Sequence, residues 1–203
     1  MEQQSADNAQ HNAQLHARLL AANQKTGSVT VELERVTDDA AITAAARALS
    51  SASAASLHSL SLLFAPIALI ASAPTIERAK KALAEQSRAC SASLGFVDRG
   101  LALHPPLAAA LLCGVLDLLP TLAEFSAAVA RQQETALLDR ALRVLTALLR
   151  ADGDTPLGAA VAIRLCDALL EDNLTPRAVQ FRQRSQPSCA ESPDAPLAIL
   201  LTN

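Results

Sequence analysis

The chain has 203 residues, a formal net charge of −3, 51 % hydrophobic residues and only 2 % aromatic residues. So large an apolar share excludes a chain that is disordered throughout. Ala and Leu supply most of this share, whereas residues that favour strands are scarce, so the composition favours helices. No basic run occurs and the four Phe are scattered, so we expect no nucleic-acid-binding surface.

The first predicted element is a helix over about residues 6–23, followed by a linker at 25–36. Leu15 and Leu19 mark a thin apolar stripe on this helix, which makes both side chains candidates for binding a protein partner. The N-terminus is polar and lacks the charged and apolar regions of a signal peptide.

Two long helices are predicted next. One runs over about 38–64, with Thr37 as its N-cap and Pro66 as its stop; the middle of its inward stripe is Ala and Ser. The other runs over about 75–97 and ends at Arg99–Gly100. Its apolar residues recur every seven positions, as in the seam of a left-handed bundle.

A further core helix begins at Leu107. Pro120 lies in its interior and must kink or break it near Asp117, because the proline ring clashes with the carbonyl four residues earlier. We predict Asp117 as a structural polar residue in the core, where it serves the freed backbone or pairs with an Arg. Two more helices are predicted, over about 134–150 and from Pro156 to about residue 172. The inward stripe predicted for the second consists of Leu157, Val161, Leu165 and Leu169.

The C-terminal part begins with PRAVQFRQR, which has the composition of one more short helix. The following segment, SQPSCAESPDAP, is rich in Pro and Ser, which predicts a mobile segment. Leu197–Leu201 form an apolar patch that docks on the bundle or on a partner. Leu197 and Leu200 are therefore candidate partner-binding residues.

These patterns predict an all-α fold, an antiparallel bundle of five or six helices with a kinked central helix. We divide the chain into an N-terminal helix and linker (1–36), a bundle core (37–174) and a partly mobile C-terminal tail (175–203). Apolar runs at 57–73 and 106–123 are interrupted by Pro and polar residues, so we expect no membrane span.

Motifs for catalysis or metal binding are missing from the sequence. The four His form no H-x-x-x-H pair, no Ser lies in G-x-S-x-G, and Gly is too sparse for a phosphate loop. We therefore predict no catalytic, cofactor-binding or metal-ligating residue, no cofactor and no enzyme activity. The four separated Cys form no C-x-x-C and fit buried free thiols in a reducing compartment, the cytoplasm or the nucleus.

The stretch LSSASAASLHSLSLLFAPIALIASAPTIERAKKAL resembles the opening of the cyclin-D-binding protein family. There a Ser/Thr-rich helix ends in Leu-x-x-x-Phe before a Pro-rich turn and another helix; the matching residues are Leu60, Phe64, Pro66 and Pro74. Further matches are Gly114, Leu116 and Asp117 in LLCGVLDLLPTLAEF, and Asp154, Ala159 and Asp167 in ADGDTPLGAAVAIRLCDALLED.

Over about residues 40–172, this resemblance implies an all-helical bundle and a non-enzymatic adaptor that binds regulatory proteins, with cell-cycle regulators as partners. It does not extend to cyclin binding, because the family's acidic linker and second helical half have no counterpart in this sequence.

The leading hypothesis is a protein-interaction module that uses helix faces and is compatible with a homo-oligomer. The alternative is a carrier of a lipid or small apolar ligand, because an Ala-rich bundle with few aromatic residues can leave an internal cavity. A third hypothesis is an enzyme whose site, around Asp117 with His58 nearby, forms only in an oligomer.

Overall fold

The structure is a computed structural model that describes residue 33 and residues 38–51, 53–153, 155–172 and 174–185. Over these residues the chain forms eight helices and no strand, which confirms the all-α prediction. The helices are α1 (Asp39–Leu49), α2 (Ala54–Ala71), α3 (Ile76–Leu103), α4 (Leu107–Gly114), α5 (Leu118–Arg131), α6 (Thr135–Asp152), α7 (Pro156–Glu171) and α8 (Thr175–Ser185).

Six of these helices form three hairpins that stack side by side: α2 with α3, α5 with α6, and α7 with α8. Turns of three or four residues join the two helices of each hairpin, which makes them antiparallel neighbours. Further contacts link α2 to α5 and α5 to α7, and likewise α3 to α6 and α6 to α8. The stack therefore has two layers: α2, α5 and α7 form one, and α3, α6 and α8 form the other.

Polar pairs between neighbouring helices of a layer advance in the same direction along both helices. They are Ser91–Arg140 and Asp98–Arg143 between α3 and α6, Asp139–Arg177 and Arg150–Arg184 between α6 and α8, and Glu124–Arg164 and Arg131–Asp172 between α5 and α7. Helices within a layer therefore run parallel. Exposed ion pairs add little stability. We therefore infer that these pairs fix the alignment of neighbouring helices and that the apolar core supplies the stability.

The apolar core draws its largest fully buried side chains mainly from the first two hairpins. Among them are Leu60, Ile67, Leu94, Leu122, Phe125, Leu138, Leu145 and Leu148. The helices predicted at 134–150 and from Pro156 to 172 correspond to α6 and α7. The first residues of the segment assigned to the tail form α8, which buries Ala178 and Phe181 and contacts α6 and α7.

The helix predicted over 38–64 is two helices, α1 and α2, because Ser side chains interrupt it. Ser50 is the C-cap of α1, and its N–H and Oγ both donate to the Ala46 carbonyl, at 3.0 Å and 2.8 Å. Ser53 is the N-cap of α2, and its Oγ accepts from the Ser56 N–H at 3.1 Å. Such local bonds compete with a continuous helix, so the Ser-rich part of the predicted stripe is a break and not a seam.

Replacing Ser53 by Ala is expected to lower the free energy of unfolding by about 1 kcal/mol, because the first turn of α2 loses its capping acceptor. Chemical denaturation monitored by circular dichroism measures this loss. Ser53→Asp keeps an acceptor and should retain most of the stability. Ser59→Ala is the matched control, since the exposed Ser59 hydroxyl only donates to the Ala55 carbonyl inside the same helix. Equal midpoints for Ser53→Ala and Ser59→Ala would contradict the assigned cap.

Pro66 does not stop the helix, contrary to the prediction, but lies inside α2, which continues to Ala71. A proline in a helix interior removes one hydrogen bond and strains the backbone. Here the next turn carries Ile67 and Ile70, which are 0 % and 1 % exposed, and we assign the continuation to their burial. By length and composition α2 is apolar enough to cross a membrane, and half of its residues are buried inside the protein.

Arg99–Gly100 also fails to end its helix, because α3 continues to Leu103. Gly100 is buried, and a Cβ there would lie 2.9 Å from Leu107 Cδ2 and 3.7 Å from the Ala46 Cβ. Gly100 thus permits close packing of α1 and α4 against α3 instead of breaking the helix.

The helix containing Pro120 breaks instead of kinking. α4 ends at Gly114 and α5 begins at Leu118, with 91° between the two helices. Pro120 is therefore in the first turn of α5, where its missing N–H has no intrahelical acceptor to lose.

Asp117 is exposed, so the prediction of a polar residue in the core is wrong. It lies at the corner between α4 and α5 with φ 53°, in the left-handed region that Asp tolerates better than most residues. At this corner its side chain points to solvent, which avoids the cost of burying a carboxylate. Its backbone carbonyl accepts from the Thr121 N–H at 2.9 Å, so the backbone, and not the carboxylate, supports the start of α5.

Candidate protein-interaction surface

The four apolar residues predicted to bind a partner, Leu15, Leu19, Leu197 and Leu200, lie outside the described residues. The two side chains named for an oligomeric enzyme site are solvent-facing, since Asp117 and His58 are both exposed. In the described part of the chain, no three His, Cys, Asp or Glu side chains come together in a way that could hold a metal ion.

The three described cysteines differ in environment, although all are free thiols. Cys90 lies in the core, as predicted, and burial raises its pKa to about 12. Cys113 is exposed, in contrast to the prediction of buried thiols, because α4 is short and ends one residue later. Cys166 is half-buried, and partial burial raises its pKa. These differences make Cys113 and Cys166 useful probes of two separate surfaces.

Helix α7 carries two apolar sides. The inner side holds Val161, Leu165 and Leu169, all buried as predicted, whereas Leu157, predicted with them, is 54 % exposed. The other side holds Ala159, Ile163, Cys166 and Leu170, which we call the outer stripe. Steps of four, three and four residues align these side chains along one face.

The outer stripe is exposed to solvent. Ile163 is 63 % and Leu170 47 % exposed, which is unusual for large aliphatic side chains in the same row. Residues of α7 that face α5, such as Leu157 and Ala168, lie about half a turn away around the helix at 100° per residue. The outer stripe therefore faces away from α5, at the open edge of the layer formed by α2, α5 and α7.

A groove of about 500 Å³ runs between the outer stripe and α8. Leu149 of α6, Ala162, Ile163 and Cys166 contribute apolar surface to it, and Asp167 and Arg182 are its charged residues. At one end lie the turn between α6 and α7 and the last residue of α8, Ser185.

The local sequence fixes the end of the groove at the start of α7. Thr155 is the N-cap, and its Oγ1 accepts from the Gly158 N–H at 3.1 Å. Pro156 occupies the first helical position, where its fixed φ favours the helix. A Cβ on Gly158 would lie only 2.9 Å from Asp152 Oδ2, so Gly lets this turn pack closely beside the groove.

A second groove, of about 440 Å³, lies between α6 and α8 and is lined by Arg143, Arg177 and Arg184. Arg143 pairs with Asp98 and Arg177 with Asp139, each at 2.9 Å. Two of its three arginines are thus already neutralised within the fold, so this groove attracts anions less than its composition suggests. The apolar groove beside α7 is the stronger candidate for binding.

Sequence reasoning missed the outer stripe because it assigned α7 one inward stripe and stopped there. The signal was present: between Pro156 and Glu171 the charged residues are Arg164, Asp167 and Glu171 only. A helix that is apolar on more than one side must pack against other elements on more than one side to remove that surface from water. Once the inward positions are removed, the remaining apolar residues of α7 still recur at helical spacing.

No protein-family model, curated protein or solved structure matches the chain. Its function is therefore inferred from the surface that α7 and α8 present.

Proposed function

We propose that the chain is a non-enzymatic protein-interaction module that binds a partner helix on the outer stripe of α7. The observation that carries the proposal is the row of exposed apolar side chains, with Ile163 63 % and Leu170 47 % exposed. Contiguous exposed apolar surface in a folded protein marks a binding site more often than scattered single residues do.

The spacing of the stripe suits a helix as the partner. Apolar residues separated by alternating steps of three and four form the seam between packed helices. A partner helix with the same spacing would remove Ile163 and Leu170 from water, and each fully buried aliphatic side chain contributes about 1.5–3 kcal/mol. Asp167 and Arg182 lie beside this surface, so their opposite charges would orient the partner.

The resemblance over about residues 40–172 supports the class of regulatory adaptor, with cell-cycle regulators in the cytoplasm or nucleus as candidate partners. The partner helix could also come from a second copy of this chain, which would make the module a homo-oligomer.

Affinity capture from a cell extract tests the proposed surface. The bait is the full chain, compared with Ile163→Asp/Leu170→Asp and with the control Leu116→Asp, since Leu116 is 92 % exposed at the α4–α5 corner. Loss of two apolar contacts should reduce specific capture by about tenfold or more, which corresponds to about 1.4 kcal/mol, and the control should capture as the wild type does.

Unchanged melting temperatures would show that both variants keep the fold. Identical captured proteins for the wild type and the double variant would contradict the proposal.

The second candidate function is the carrier of a lipid or small apolar ligand. The volume of the groove, about 500 Å³, lies in the usual range for small-ligand sites, although the groove is on the surface whereas the sequence suggested an internal cavity. Native mass spectrometry of the purified chain distinguishes the two functions. A bound lipid in the wild type that disappears in Ile163→Asp/Leu170→Asp would favour the carrier.

A further inference from the structure

We propose that the groove between α7 and α8 is occupied by the C-terminal segment of the same chain, with Leu197–Leu201 covering the outer stripe of α7. This inference concerns the isolated chain and does not depend on an external partner, which would displace the segment when it binds the outer stripe. It identifies the surface on which the apolar C-terminal patch docks.

The first support is where the described chain ends. Ser185, the last described residue of α8, itself lines the groove, so the segment that follows is tethered at the mouth of the groove. Pro187 follows two positions later, and proline in a helix interior costs a backbone hydrogen bond. The sequence thus favours a change of direction where the apolar groove begins.

The second support is chemical complementarity. Residues 186–203 contain Glu191 and Asp194 but no Lys or Arg, and Arg182 lies at the groove. Leu197, Leu200 and Leu201 have the spacing of one helical face, which matches the exposed row on α7. The charged residues of the groove are Arg182 and Asp167, one of each sign, and its wall is apolar. Arg182 can therefore pair with a carboxylate of the linker, and the apolar match between the leucines and the wall of the groove carries most of the complementarity.

The third support is reach. From Gly158 at the mouth to Cys166 the groove follows eight helical steps, about 12 Å at 1.5 Å per residue. The linker 186–196 would span about 18 Å as a flexible chain and about 36 Å fully extended. The apolar block can therefore turn back along α7 without strain. A tether whose length suits the span gives a local concentration in the millimolar range, which favours the chain's own segment over a second copy.

The test measures how fast N-ethylmaleimide modifies Cys166, which lines the groove, with the exposed Cys113 as reference in the same molecule. The protein is the full purified chain, and the variant is Leu197→Ser/Leu200→Ser. The matched control is Leu15→Ser/Leu19→Ser, which makes the same chemical change at the other end of the chain. Mass spectrometry of the peptides gives both rates.

We expect the C-terminal variant to raise the Cys166 rate by about fivefold or more, because a tethered segment at millimolar local concentration protects the thiol most of the time. The Cys113 rate and both rates in the control should stay unchanged. An unchanged Cys166 rate in Leu197→Ser/Leu200→Ser would overturn the proposal.

Protection that disappears on about a hundredfold dilution would assign the groove to a second copy instead and would also overturn the proposal, since a tethered segment is insensitive to protein concentration. Because no partner is added, failure of this experiment is distinct from failure of the capture experiment.

Discussion

Replacing Leu122 by Ala is expected to lower the free energy of unfolding by about 2–5 kcal/mol, the range for deleting a buried Leu side chain. Leu122 is 0 % exposed in α5, the middle helix of its layer, which contacts helices on both sides. The surroundings can collapse only partly into the space left by the missing atoms, so a cavity adds to the lost transfer free energy. Thermal and chemical denaturation of the full chain measure the difference.

Leu116→Ala is the matched control, because it is the same substitution six residues earlier at a side chain that is 92 % exposed. It should change the free energy of unfolding by less than about 0.5 kcal/mol, as surface substitutions usually do. If both variants lost equal stability, the break between α4 and α5 would be misplaced and Leu116 would belong to the core.

Replacing Gly100 by Leu is expected to cost about 1–3 kcal/mol, the usual range for overpacking a core. A Cβ at this position already lies 2.9 Å from Leu107 Cδ2 and 3.7 Å from the Ala46 Cβ. The larger side chain must push α1 and α4 away from α3, so the loss should be accompanied by faster hydrogen exchange in α1.

Gly95→Leu in the same helix provides the comparison, because a Cβ there meets only the end of the flexible Arg140 side chain, at 3.4 Å. We expect its effect to stay within about 1 kcal/mol, since replacing Gly improves helix propensity. A greater loss at Gly95 than at Gly100 would contradict the close packing assigned to Gly100.

The bounds of helices that are flanked by clear stop and start residues were predictable from the sequence. α6 and α7 follow the predicted ranges because the turn around Gly153 combines a stop with a Thr155 cap and a Pro156 start. The bounds of the helices predicted over 38–64 and from Leu107 onward were not predictable, because each of them is broken into two. Their breaks depend on side-chain hydrogen bonds and on neighbouring helices, which periodicity does not report.

Pro66 and Pro120 show why the remaining helix ends could not be predicted from the sequence. The same residue type lies inside one helix and in the first turn of another. Buried apolar residues follow both prolines, so the local sequence does not tell the two cases apart. Asp117 was misassigned for a related reason: an apolar context in sequence predicts burial, whereas a corner turns the side chain outward.

The candidate surface was less predictable than the fold. Sequence reasoning looked for partner-binding residues at the two ends of the chain, where apolar residues stand out against polar neighbours. In α7 the outer stripe was hidden because its neighbours are apolar too. Only the position of α7 at the edge of a layer distinguishes an exposed Ile163 from a buried Leu165.

The stacking of hairpins has a consequence for where a further helix can be added to the fold. In proteins built from stacked helical units, each unit covers the apolar side of the one before, and the terminal unit carries a polar cap. The hairpin of α7 and α8 is terminal among the described units, yet its free side has the apolar character of an internal one. We therefore expect any further helix that joins this layer, from the chain's own C-terminal segment or from a partner, to pack against the free side of α7.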